Sequence, residues 1–157
     1  MQRTQLSLLQ TRISNPGTVI SMIATNTTLN TMNSTLYPCP CCGFLVFNGH
    51  PGTYEFCPVC AWQETVVQLR FAMFPGGPNK SNLVEAQAIY SEYGTTKRGR
   101  QPRAPSSAGF ERDENWRPID LTIDNIELTT TGKHGKDLPK DRTLLYYWLD
   151  TYWRRQP

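Results

Sequence analysis

Three stretches of the chain carry a readable alternation of apolar and polar positions. Asn82 to Tyr93 puts Leu83, Ala86, Ile89, Tyr90 and Tyr93 on one face at helical spacing. Asn82 stands at the N-cap, and Glu85 three residues later can return the bond in a capping box. Gly94 follows where a left-handed residue ends a helix. The pattern predicts a helix over 82–93. Ile119 to Thr130, "IDLTIDNIELTT", changes period to two, with Ile119, Leu121 and Ile123 on one strand face. Asp124-Asn125 can form a two-residue turn from which Ile126 and Leu128 start a return strand; one continuous bent strand is the other reading. Asp141 to Arg155 returns to helical spacing. Asp141 can cap its start, Leu144, Leu145, Trp148, Leu149 and Tyr152 form the stripe, and Arg154 and Arg155 suit the negative end of the helix dipole.

Between these stretches the composition shifts. Residues 1–36 are rich in Ser, Thr and Asn, hold Arg3 and Arg12, and contain no acidic residue. They are expected to be a disordered leader or an overlong start, with Met22 and Met32 as later starts; a transit peptide shares the same composition. Thr65 to Gly77 is apolar and then turn-like. Residues 95–115 read as a linker whose Lys97, Arg98, Arg100 and Arg103 form a basic run. Residues 116–157 hold the β unit and the second predicted helix. The longest apolar patch near the start, Val19 to Ala24, is broken by Ser21, far short of the roughly 18–20 residues that span a bilayer. The net charge of +3 neither demands nor excludes an anionic partner.

All five cysteines lie between Cys39 and Cys60, an odd count that a disulfide framework does not favour. Cys39 and Cys42 are spaced C-x2-C, as are Cys57 and Cys60. Two such turns can each aim two thiolates at one tetrahedral zinc. Pro40 and Pro58 follow the first cysteine of each pair, and Gly43 follows the first pair, where the backbone must swing round. The pattern predicts one structural zinc on Cys39, Cys42, Cys57 and Cys60 in a reducing compartment. Iron uses similar knuckles, and ligand type alone leaves it open. Cys41 is the spare thiol, expected outside the ligand set as a small buried filler.

The strings "YPCPCCGF", "GTYEFCPVCAW" and "GGPNKSNLVEA" resemble the bacterial cysteine-rich CPCC family over about residues 37–94. The likeness is carried by Tyr37, Cys39, Pro40, Cys41, Cys42, Gly43, Tyr54, Glu55, Cys57, Pro58, Cys60, Trp62, Gly76, Gly77, Asn79, Leu83, Glu85 and Ala86. The chain departs from the family at Gln63-Glu64-Thr65, where an acidic run is usual, and at Asn82, where Ser is usual. The resemblance implies a cytoplasmic, zinc-ribbon-like module and brings no settled activity.

The fold class expected is α+β: a small zinc-ribbon hairpin and helix, then a short β unit and a C-terminal helix. A four-cysteine zinc is coordinatively closed, so it offers no position for substrate. The only histidines are His50 and His134, and no phosphate loop, nucleophile elbow or metalloprotease helix occurs. A non-enzymatic module that binds another protein is therefore the leading expectation. Tyr146, Tyr147, Trp153, Arg154 and Arg155 are its candidate contacts, as residue types enriched at binding hot spots. One alternative is a nucleic-acid-binding ribbon using Lys97, Arg98, Arg100 and Arg103 on phosphates. The other is a redox or cysteine-dependent enzyme using Cys41, with His50 as its base.

Overall fold

The computed structural model describes residues 35–96, 109–128 and 137–155. The leader up to residue 34, the basic run and His134 lie outside the described residues. Strand β1 (Tyr37–Pro38) pairs antiparallel with β2 (Leu45–Phe47), Tyr37 opposite Phe47 and Pro38 opposite Leu45, with a register shift between Tyr37 and Pro38. Helices α1 (Val66–Arg70) and α2 (Leu83–Tyr93) follow. Among the described residues, no helix is long and apolar enough to cross a membrane.

Helix α2 is built as its sequence dictates. Asn82 Oδ1 accepts from the Glu85 amide at 2.8 Å, and Glu85 Oε2 accepts from the Asn82 amide at 3.3 Å. Gly94 closes the helix at φ 68, with its amide on Tyr90 O. Leu83, Ala86 and Ile89 are buried, whereas Tyr93 is exposed. Gln87, four residues after Leu83, is buried on the inner face instead.

Over its described residues the predicted β unit is not a strand, and Thr129 and Thr130 lie outside them. Among the described residues 119–128, local polar bonds fold the chain into turns. Asp120 Oδ1 accepts from the Thr122 amide at 2.9 Å and from the Thr122 hydroxyl at 2.6 Å, and the Asp124 amide bonds Asp120 O at 2.8 Å. Arg117 grips Asp124 with both guanidinium branches, at 2.7 and 2.6 Å. Short polar side chains that bond their own backbone compete with a ladder, and here they prevail. Leu121 and Ile123 are left exposed, while Ile126 enters the core.

The second predicted helix is also absent. Asp141 does cap a turn, accepting from the Thr143 amide at 2.9 Å, but the helix is a single 3-10 turn over Arg142–Leu145, followed by irregular turns. Tyr146, Tyr147 and Trp148 are consecutive and all buried. An α-helix would spread three successive side chains over about 200° of its surface, so it could not bury all three against one core. The turns aim each at its own partner: Tyr146 Oη donates to Pro38 O (3.2 Å), Tyr147 Oη to Arg117 O, and Trp148 Nε1 to Asp113 Oδ2 (3.0 Å). One core takes these aromatics together with Phe47, Trp62, Leu83 and the cysteines.

Candidate metal centre

Two turns of matching construction carry the thiols. The Cys39 amide bonds Phe44 O at 2.8 Å and the Gly43 amide bonds Cys39 O at 2.7 Å. Eighteen residues on, the Cys57 amide bonds Trp62 O at 2.8 Å and the Ala61 amide bonds Cys57 O at 3.0 Å. Each turn closes through a left-handed residue in its fifth position, Gly43 at φ 79 and Ala61 at φ 66. Gly43 is doubly required, since a Cβ there would stand 2.6 Å from the Trp116 ring. Ala61 holds the same backbone with a side chain, at a steric cost.

The two turns face each other and bring four sulfurs together. Sγ of Cys39 lies 3.6 Å from Sγ of Cys60, and Sγ of Cys42 lies 3.6 Å from Sγ of Cys57. All four sulfurs fall within 4.8 Å of one another and all four residues are buried. A tetrahedral zinc at the usual zinc–sulfur distance sets its sulfurs about 3.8 Å apart, so the cluster has the size for one such ion. Burial pushes the Cys39 and Cys60 thiols well up, while thiol hydrogen bonds from Cys39, Cys42 and Cys60 hold Cys57 far down. Without a cation the cluster thus resists holding several thiolates at once, and a metal entering it must displace protons. The donor set is consistent with one structural metal ion.

The shell around the first turn comes from distant parts of the chain. Gln87 Nε2 donates to Pro40 O at 2.8 Å and to Tyr147 Oη at 3.0 Å, while Gln87 Oε1 accepts from the Ile119 amide at 2.9 Å. Trp116 Nε1 also donates to Pro40 O, at 3.1 Å, and Arg112 Nε donates to Cys42 O at 2.8 Å. The second turn is held nearer in sequence. Cys60 O accepts from the Thr96 amide at 2.9 Å and the Thr96 hydroxyl at 3.0 Å, and the Cys60 amide points at Cys57 Sγ at 3.4 Å. Just after the second turn, the buried Glu64 Oε2 accepts the amides of Gly52, Thr53 and Tyr54, which lie between the turns, at 2.7, 2.8 and 3.3 Å. Its Oε1 is buried with no hydrogen-bond partner among the described residues, and burial raises its carboxyl above its ordinary value despite those amides.

The other sequence-derived sites fare unequally. Cys41 is fully buried, and burial pushes its thiol up. His50 is exposed with Nδ1 3.3 Å from Pro51 O, and among the described contacts none joins it to Cys41. Tyr146 and Tyr147, expected as partner contacts, are each only 2% exposed and belong to the core, so that assignment is corrected. Trp153 is 37% exposed, flanked by the guanidinium groups of Arg70 at 4.9 Å and Arg154 at 5.8 Å. Arg154 bonds Asn125 O at 2.9 Å, and Arg155 pairs with the exposed Asp150. Lys97, Arg98, Arg100 and Arg103 lie outside the described residues. The supporting Arg112, Trp116 and Glu64 were not foreseen. Only Gln87 had a signal, a polar residue at the i+4 position of an apolar face.

Residues 37–108 match the family model described as Cysteine-rich CPCC. No curated protein matches the chain.

Proposed function

We propose that this chain, whose residues 37–108 match the cysteine-rich CPCC family model, is a zinc module that acts by binding another protein. The observation that carries the metal half is the set of four buried sulfurs within 4.8 Å of one another. Zinc fits the all-thiolate donor set, and four thiolates leave it no open position. Cys39, Cys42, Cys57 and Cys60 hold the ion, and the ion in turn ties the two turns together. Its role is to supply cross-linking that a small core lacks.

The binding half is supported by aromatic surface that the core does not use. Phe56 is 65% exposed and Tyr54 54% exposed, both at the entry to the second turn. Tyr54 keeps a left-handed backbone at φ 60. Trp153 adds a third exposed aromatic. The test is native co-purification from the source cells, with wild type beside Phe56→Ser and Trp153→Ser. A stoichiometric protein that is retained by wild type and lost with one of these variants supports the reading. Recovery of the chain alone, or of nucleic acid released by moderate salt, goes against it.

A further inference from the structure

The stretch from Glu111 to Trp116, beyond the family region, is laid against the first cysteine turn. The Leu45 amide bonds Glu111 O at 2.8 Å, and the Asp113 amide bonds Gly43 O at 2.9 Å, so the stretch pairs along the outer edge of β2. Its side chains then reach the turn itself. Arg112 Nε donates to Cys42 O, and Trp116 Nε1 donates to Pro40 O. The Arg112 guanidinium is held between two rings, 5.1 Å from the centre of Phe44 and 4.6 Å from that of Trp116. The second turn, by contrast, is held by Thr96, within the family region.

We propose that Arg112 is a positioning residue for the metal centre. The proposal rests on the zinc reading above. Zinc with four thiolates carries a net double negative charge, and donors around the thiolates stabilise it. Arg112 offers a charged donor to the backbone of one ligand, at the Cys42 carbonyl. Its Nε fixes the Cys42 carbonyl and hence the direction in which the Cys42 thiolate leaves the turn. Its guanidinium is ordered in advance by the two rings, so little side-chain freedom remains to be lost when the metal enters. Lys can replace the charge and one donor, but not the planar stack.

The experiment uses the full chain loaded with one zinc, as wild type, Arg112→Met and Arg112→Lys. Zinc transfer to a coloured chelator is timed, and cobalt-substituted samples are read for the sulfur-to-metal charge-transfer band. The Met variant is expected to release zinc about tenfold faster, in line with supporting residues at other metal sites, and the Lys variant to recover most of that loss. The cobalt band should keep four-thiolate intensity in all three, which excludes the loss of a ligand as the cause. Equal release from wild type and Arg112→Met overturns the proposal, and so does a Lys variant as fast as Met. If Arg112→Met does not fold, Arg112→Gln takes its place with the same expected order. A wild type that takes up no zinc in a stoichiometric titration overturns the zinc reading itself, and this inference with it.

Discussion

Gln87 is where helix α2, the first cysteine turn and the C-terminal part of the chain are joined, and replacing it by Leu measures that junction. The substitution keeps the volume and helix propensity roughly constant and removes three hydrogen bonds: Nε2 to Pro40 O, Nε2 to Tyr147 Oη, and the Ile119 amide to Oε1. Their partners are not equally exposed to the loss. Pro40 O keeps Trp116 Nε1, and Tyr147 Oη keeps Arg117 O. The Ile119 amide has no other acceptor among its described bonds, so it bears the penalty of an unsatisfied donor. Three bonds at about 1 kcal/mol each, partly offset by the apolar gain of Leu, give a loss of about 2–3 kcal/mol. The assay is urea unfolding at fixed excess zinc, because metal binding shifts apparent stability. Hydrogen exchange should show the Ile119 amide losing protection in the same variant. Ala88→Gln, at the neighbouring exposed position, should stay within about 0.5 kcal/mol of wild type. A Gln87→Leu protein as stable as the Ala88 control would refute the view that this residue ties the three parts together.

Other outcomes follow from the same geometry. Ala61 occupies the left-handed position that Gly43 fills in the first turn, so Ala61→Gly should be neutral to stabilising by up to about 1 kcal/mol, whereas Gly43→Ala should be clearly destabilising because its Cβ also meets Trp116; thermal melts of both decide it. Glu64 has its pKa raised by burial, so the folded protein takes up that proton more readily than the unfolded chain. Relative to Glu64→Gln, wild type should therefore gain stability as pH falls through the raised pKa toward the usual carboxylate range, and pay for the buried charge above it; paired urea melts across that window would show a constant difference if this is wrong. Cys57→Ser should lose tight metal binding, whereas Cys41→Ala should retain one ion per chain, with cobalt titration as the readout; loss of binding in both would place Cys41 in the ligand set.

What was legible in the sequence was what is decided locally. The Asn82–Glu85 box and Gly94 set helix α2 within a dozen residues, and the two C-x2-C turns carry their own closing bonds. The fold of the tail is not legible in local spacing because its backbone is dictated from far away. Tyr146 takes its acceptor from Pro38, and Trp148 takes its own from Asp113, so a helical stripe gave way to turns that bury three adjacent aromatics. Residues 119–128 failed differently. The turn signal was present in Asp120 and Thr122, but the alternation of Ile119, Leu121 and Ile123 outweighed it in a reading of period alone. The supports of the metal centre were the least visible. Arg112 and Trp116 sit about seventy residues beyond the carbonyls they hold, with no spacing rule to connect them.

The most direct measurement of the metal centre is native mass spectrometry of the full chain, purified without a metal-binding tag. One zinc per chain is expected, retained while the protein is folded and lost with unfolding in acid. A metal-free mass lowered by the formation of disulfides among Cys39, Cys42, Cys57 and Cys60 would contradict it.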